Sequence, residues 1–125
     1  MPFFAIDNCV SAEMPREGPD LERRRDIVRQ LMTHRHTSRC GHPGPCTYNY
    51  PKEVLELTTM SEDGKVQHRR RHEEDAWIVP HHPGLLEEFL CHINVEVCWG
   101  PASFGYLFKY FWKRRAHVSS QFDLI

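Results

Sequence analysis

The sequence predicts a small α+β domain in which a few antiparallel strands are flanked by helices. Apolar residues recur at helical spacing in two segments, and an Asp-Gly pair separates two β-prone runs. The chain is 40% hydrophobic and 26% charged, which is typical of a foldable protein. Its 125 residues fit one small domain or a piece of a larger one, and its net charge of −1 gives no global signal for nucleic acid.

The first half of the chain predicts one helix between two irregular segments. Residues 1–19 contain three prolines and one glycine and predict an irregular lead-in. A helix is expected from an Asp20 cap to about Thr33. Its apolar stripe consists of Leu21, Ile27, Val28, Leu31 and Met32. Residues 34–51, "HRHTSRCGHPGPCTYNYP", are rich in Gly, Pro, Cys and His and predict a loop.

The second half predicts most of the sheet. Residues 54–70 predict a hairpin whose turn lies at 62–64. "WIVP", residues 77–80, predicts a short buried strand or an extended segment. Pro83 opens a short helix, and residues 92–97, "HINVEV", alternate apolar and polar side chains as a half-buried strand does.

The last predicted helix opens at Pro101 and Ser103 and contains "YLFKYFWK". One stripe at helical spacing is apolar: Phe104, Leu107, Phe108 and Phe111. A second stripe is made of phenols and ammonium groups: Tyr106, Lys109, Tyr110 and Lys113. Cations beside a phenol favour the phenolate, which can attack a phosphodiester to form a covalent phosphotyrosine. The alternative is an amphipathic helix with tyrosines at a wet boundary, and residues 114–125 show no pattern and predict a divergent tail.

The chain has five cysteines, an odd number. No apolar run follows a basic segment at the start, and no run is long enough to predict a membrane span. The expectation is therefore an intracellular protein, nuclear or cytoplasmic, with reduced thiols. Cys91 and Cys98 stand at the two ends of the predicted strand and face opposite sides, so they are not expected to share a metal or to pair with each other. They are interpreted as small buried hydrophobes.

Four metal-ligating side chains fall within thirteen residues of the predicted loop. They are His34, His36, Cys40 and Cys46, spaced H-x-H-x3-C-x5-C. Zinc takes four nitrogen or sulfur ligands in a tetrahedron, and a Gly- and Pro-rich loop can wrap around one ion. The spacing matches no common zinc finger. A solvated histidine-rich loop with two free thiols is the alternative.

A basic run on the second hairpin strand is a candidate DNA contact. Arg69, Arg70 and Arg71 lie between two histidines, and cations beside aromatics can follow a single strand through its phosphates. The acidic run at 73–75 follows directly and offers the alternative of pairing with these arginines.

Four strings occur in the order "SRCGHPGPCTYNYPKE", "DGKVQHRRRHEEDAWIVPHHPGLL", "CHINVEVC" and "YLFKYFWK". Together they resemble the Rep part of the Helitron helicase-like family, in the form common in fungal genomes. The resemblance covers residues 8–113, and 20–113 is the Rep-like segment. It implies a rolling-circle initiator of the HUH class, in which a His-x-His pair binds Mg or Mn and a tyrosine pair nicks single-stranded DNA. Tyr106 and Tyr110 match that pair, and Lys109 and Lys113 match the lysines beside it.

The chain departs from the family's pattern at three places. The His-x-His strand has no match; His34 and His36 have the spacing but stand in a Cys-rich loop. No phosphate-binding G-x-x-x-x-G-K-[ST] loop is present, and "KRRAHVSSQ" replaces the segment that usually follows the tyrosines. The resemblance therefore implies an incomplete piece of a HUH-nuclease-like domain from a truncated transposase. Such a piece is expected to be inactive alone, with single-stranded DNA and the missing Helitron parts as partners. The alternatives are a non-catalytic zinc- or nucleic-acid-binding module and a transposon relic without function.

Overall fold

The computed structural model of the chain describes residues 3–97, with side chains from Ala5 onward. The predicted last helix, with Tyr106, Lys109, Tyr110 and Lys113, lies outside the described residues. The chain divides into two compact units, Met1–Thr59 with Gln67–Val97 and Met60–Val66 with Cys98–Ile125. Within the described range, no helix is long and apolar enough to cross a membrane.

The lead-in predicted as irregular begins with a helix, α1 (Phe3–Cys9). Its seven residues contain neither proline nor glycine, so the prolines of this region flank the helix and do not interrupt it. Ile6 is buried, and its carbonyl accepts the Val10 amide at 2.8 Å. Beyond α1 the chain is irregular, but Ser11 pairs with His81 in an antiparallel bridge. The lead-in is therefore part of the packed domain.

The predicted first helix is α2 (Leu21–Leu31), which ends two residues before the expected end. Val28 on α2 and Met32 just after it are buried, as the apolar stripe predicted. Asp20 stands at the cap position with a left-handed backbone, and its side chain makes no capping hydrogen bond. Arg24 instead reaches back to the carbonyls of Pro19, at 2.8 Å, and Glu17. Asp20 therefore occupies the cap position without acting as a side-chain cap, and Arg24 anchors the chain before the helix without accepting any of the free helix amides.

The predicted hairpin is present with shorter strands, β1 (Thr59–Met60) and β2 (Val66–Gln67). An isolated antiparallel bridge between Leu55 and Arg70 continues the pairing away from the turn. Gly64 has a φ of 84°, which favours glycine, so the Asp-Gly pair forms the turn that it predicted. The small antiparallel sheet and the helices together give the α+β class.

In the larger unit, the apolar core forms around the extended segment that follows a 3-10 turn at Glu73–Trp77. Ile78 and Val79 are buried, as "WIVP" predicted, and Ile78 pairs with Thr33 in an antiparallel bridge. The apolar cluster consists of Met14, Val28, Met32, Ile78, Val79 and Leu86. It brings α2, the lead-in and the helix that contains Leu86 together.

The helix predicted after Pro83 is α3 (Pro83–Phe89), and His82 caps it by accepting the Leu85 amide at 3.1 Å. Residues 92–97 alternate in burial as predicted but form no ladder. The Val95 amide donates to the carbonyl of Pro80 at 3.0 Å, and no described strand lies alongside to pair with the rest. Cys91 is exposed, which corrects the expectation of a buried hydrophobe.

We predict that the Glu13 carboxylate makes stability fall in acid. Burial raises its pKa, but hydrogen bonds from Arg71 and the charges of Arg69 and Arg71 outweigh burial, so the net pKa lies below the ordinary 4.5. A depressed folded-state pKa stabilises the protein above the unfolded-state pKa, and this contribution is lost as pH falls through the folded value. In urea titrations across the acid range, the Glu13→Gln variant should lose less unfolding free energy than the wild type as pH falls. Glu74, whose pKa is also lowered, should still contribute part of the acid-dependent loss. An identical pH profile for the variant would contradict the assignment.

Candidate metal centre

Backbone contacts anchor the start of the loop at residues 34–51 to the core. The His34 amide donates to the carbonyl of Trp77 at 2.7 Å, directly after the bridge between Thr33 and Ile78. A 3-10 turn at Ser38–Cys40 follows, and the Thr37 hydroxyl accepts the Arg39 amide at 3.2 Å. These backbone contacts therefore fix the position of the start of the loop relative to the buried extended segment.

Gly41 lets the loop fold back on itself. Its φ is 100°, and a side chain at this position would place Cβ 2.9 Å from the carbonyl oxygen of Pro45. Only glycine combines this backbone with such a close approach. The Thr47 amide then donates to the carbonyl of Cys40 at 2.8 Å. The return of the chain carries Cys46 to Cys40.

The four predicted metal ligands converge on one point. Ring nitrogens of His34 and His36 and the sulfurs of Cys40 and Cys46 all lie within 4.8 Å of one another. The Cys40 Sγ is 3.6 Å from the His36 Nδ1, and the Cys46 Sγ is 3.5 Å from the His34 Nε2. A tetrahedral zinc ion bonded to sulfur at about 2.3 Å and nitrogen at about 2.0 Å places such pairs about 3.5 Å apart. The cluster therefore has the donors and the spacing to hold a metal such as zinc.

Aromatic neighbours hold the two imidazoles in place. The His34 ring stacks on Tyr50, with centroids 4.3 Å apart and planes 15° apart. The His36 ring meets Trp77 edge-on at 5.2 Å and lies parallel to His42 at 6.0 Å. Rings fixed by packing lose little freedom when they bind an ion.

Local electrostatics favour the ligand forms of two of the donors, Cys46 and His34. Desolvation raises the pKa of the Cys46 thiol, but hydrogen bonds to its sulfur lower that pKa by a larger amount, so the net shift is downward. The donors are the backbone amides of Tyr50, Tyr48 and Asn49 and the side chain of Cys40. Desolvation lowers the pKa of His34, and the charges of His36 and Lys52 add to that effect. A thiolate and a neutral imidazole are the species that bind zinc.

The Cys40 sulfur is in addition hydrogen-bonded within its own turn. It accepts the Thr37 amide at 3.4 Å, and Cys40 itself is only 1% exposed. Contacts with the Thr37 amide and, at 3.3 Å, with the Thr37 carbonyl orient this ligand within its turn.

A second cluster of possible ligands, Glu13, His72 and Asp75, is already engaged by cations. Arg71 donates to the Glu13 carboxylate at 2.9 Å, and Arg16 donates to the Asp75 carboxylate at 3.1 Å. A metal ion would have to displace both guanidinium groups, so this cluster holds the fold together by ion pairs.

The three predicted DNA-contacting arginines have internal partners. Arg70 is buried, and its Nη1 donates to the carbonyls of Asp75 and Ile78, each at 2.6 Å. Arg69 and Arg71 both donate to Glu13, at 3.1 Å and 2.9 Å. DNA contact by this run stays a prediction. The carboxylate that pairs with Arg69 and Arg71 comes from the lead-in and not from the adjacent acidic run.

Sequence reasoning missed the residues that support the cluster, Tyr50, Trp77 and Thr37. The aromatic pair at 48 and 50 directly follows the last cysteine of the loop, a signal that was available. Trp77 contacts His36 from a distant part of the sequence, so no local sequence pattern could predict that contact. Comparison of the chain with protein-family models, curated proteins and solved structures found no match.

Proposed function

We propose that this chain is a segment of a Helitron-type replication initiator whose described part is a zinc-stabilised, non-catalytic module. The convergence of His34, His36, Cys40 and Cys46 carries the zinc assignment. The order of the four sequence strings over residues 8–113 supports the family assignment. The module's task is structural, to hold a long Gly- and Pro-rich loop against the domain core.

The ligand set favours a structural ion over a catalytic one. Four protein ligands close a tetrahedral zinc site, whereas catalytic zinc keeps one position for water or substrate. The loop has little regular structure to stabilise it besides the turn at Ser38–Cys40. Zinc held between both ends of the loop would supply the missing stabilisation, because binding free energy becomes folding free energy.

The same geometry argues against His34 and His36 as the family's nuclease pair. Mg and Mn prefer oxygen ligands in octahedral geometry, whereas these two imidazoles face thiols. In full-length relatives the divalent ion assists attack on the DNA phosphate. Without ligands for it, Tyr106 and Tyr110, with Lys109 and Lys113, are not expected to nick single-stranded DNA in this chain alone.

Native mass spectrometry of the chain, purified without chelator, tests the zinc assignment. We expect one zinc ion per chain, and none in a Cys46→Ser variant. Cys91→Ser, which removes an exposed thiol outside the cluster, should keep the ion. A wild-type chain that takes up no zinc when the metal is supplied would overturn the assignment.

Sequencing the native transcript and its flanking DNA tests the family assignment separately. An in-frame His-x-His strand upstream and helicase motifs downstream are expected if the chain is one part of a Helitron protein. Restoring the upstream segment should then yield a covalent DNA adduct that is lost in Tyr106→Phe/Tyr110→Phe. Flanks that encode an unrelated protein would contradict the family, and flanks broken by stop codons would favour a relic.

A further inference from the structure

We propose that Cys40 and Cys46 form a redox modification site, which a peroxide oxidises to a disulfide with release of the metal ion. This inference rests on the proposed function, because it concerns the regulation of the proposed zinc site. The zinc-loaded loop and the disulfide-closed loop are then two states of the same segment, and exposure to an oxidant decides between them.

The two cysteines are already neighbours before any bond forms between them. Their sulfurs lie within 4.8 Å of each other, and the Cys40 side chain is hydrogen-bonded to the Cys46 sulfur. The Thr47 amide donates to the Cys40 carbonyl at 2.8 Å, so the backbones of the two cysteines lie side by side. A disulfide requires this closeness, because it joins Cα atoms that are only about 4.4 to 6.8 Å apart.

The turn that joins the two cysteines is held by backbone contacts that do not involve a metal ion. Gly41 has a φ of 100°, and its carbonyl accepts the Gly44 amide at 2.6 Å. These contacts keep Cys40 and Cys46 together when bonds to the metal are lost. Two reacting groups that are held in this way react much faster than two groups that must find each other.

The two sulfurs differ in their access to solvent, and this difference sets the order of the reaction. Cys40 is only 1% exposed, whereas Cys46 is partly exposed. Peroxide oxidises thiolates that it can reach, so it reacts with Cys46 first. Cys40, which is protected beside it, is the resolving cysteine.

The oxidation takes place in two steps. The Cys46 thiolate attacks the peroxide: an S–O bond forms, the O–O bond breaks, and the departing hydroxide takes a proton to become water. The Cys40 thiolate then attacks the Cys46 sulfur: the S–S bond forms, the S–O bond breaks, and the second hydroxide is protonated to water. The two sulfurs together lose two electrons, which reduce hydrogen peroxide to two water molecules. Zinc keeps its charge throughout and loses two of its four ligands.

Only the imidazoles of His34 and His36 remain as ligands once the disulfide has formed. Two ligands bind zinc far more weakly than four, so the ion dissociates. The His34 ring keeps its stacking on Tyr50 and the His36 ring keeps its contact with Trp77, because neither contact involves sulfur. Reduction of the disulfide by a thiol therefore returns all four donors to the same place, and zinc binds again.

Peroxide treatment of the zinc-loaded full chain tests the inference with two separate readouts. A zinc-sensitive dye measures the released metal, and trypsin digestion after alkylation reports the state of the thiols. Trypsin cleaves after Arg39 and Lys52, so residues 40–52 form one peptide that contains both cysteines of the site and no other cysteine. We expect the release of one zinc ion per chain, together with a 40–52 peptide that is two hydrogen atoms lighter and resists alkylation. Dithiothreitol should restore both thiols and allow zinc to bind again.

A Cys9→Ser/Cys91→Ser/Cys98→Ser variant is the matched control. It removes the three thiols outside the cluster and keeps Cys40 and Cys46. This variant should release its zinc and form the same oxidised peptide to the same extent as the wild type. A variant that no longer responds to peroxide would show that the disulfide involves another cysteine, and the pairing of Cys40 with Cys46 would be wrong.

Two further results would overturn the inference. One is zinc that stays bound at a peroxide concentration that fully oxidises free cysteine. The other is zinc released while the 40–52 peptide contains no disulfide, for example with a sulfinic acid on Cys46. A chain that takes up no zinc contradicts the proposed function instead. The peptide map then still shows whether peroxide joins Cys40 to Cys46, so the two proposals fail separately.

Discussion

Replacing Cys40 with serine is expected to abolish zinc binding and to remove the zinc-dependent part of the stability. Cys40 is buried, and its sulfur lies 3.6 Å from the His36 Nδ1. Serine cannot replace a thiolate as a zinc ligand, and three remaining ligands bind far more weakly. At free zinc a thousandfold above the dissociation constant, the ion adds about 4 kcal/mol to the free energy of unfolding, and the variant should lack this amount.

Urea unfolding in zinc buffer and in chelator measures this loss. The wild type in chelator should be destabilised relative to zinc buffer, whereas Cys40→Ser should give the same unfolding free energy in both. Cys9→Ser, at an exposed position in α1, controls for the loss of a thiol and should respond to zinc as the wild type does. A Cys40→Ser variant that zinc still stabilises fully would contradict the assignment.

Replacing Asp75 with asparagine is expected to lower the free energy of unfolding by roughly 3 to 5 kcal/mol. Asp75 is fully buried, and its carboxylate accepts the Met14 amide at 2.8 Å and the His72 amide at 3.1 Å. Arg16 donates to the same carboxylate at 3.1 Å. An amide in this place would bring N–H groups toward these donors and leave Arg16 without its buried partner.

Glu74→Gln is the matched control for that measurement. The Glu74 carboxylate also pairs with Arg16, at 2.7 Å, but its side chain is 43% exposed. Exposed ion pairs contribute little, so this variant should lose no more than about 1 kcal/mol. If thermal or urea unfolding showed similar losses for the two variants, burial would not be the reason that Asp75 matters.

Local features of this chain could be predicted from its sequence. The metal cluster falls within thirteen residues, and the Asp-Gly turn marks its hairpin, because in both cases the deciding interactions lie close together along the chain. The alternation at 92–97 correctly predicted the half-buried side chains. It could not show whether a neighbouring strand exists, and backbone pairing depends on that neighbour.

Long-range partners could not be predicted in this way. Glu13 pairs with Arg69 and Arg71 from 56 and 58 residues away, and nothing in the basic run distinguishes this carboxylate from the adjacent acidic one. Asp20 stands at the cap position of α2 in a left-handed backbone and its side chain caps no amide, while Arg24 donates to two carbonyls before the helix. Such contacts depend on the folded arrangement, which a periodic pattern does not contain.

X-ray absorption at the zinc edge of the purified chain tests the central claim most directly, because it reports the ligands themselves. The cluster predicts two sulfur ligands at about 2.3 Å and two nitrogen ligands at about 2.0 Å, with the outer-shell scattering of imidazole. A first shell made only of oxygen and nitrogen, or a chain that retains no zinc, would contradict the assignment of His34, His36, Cys40 and Cys46.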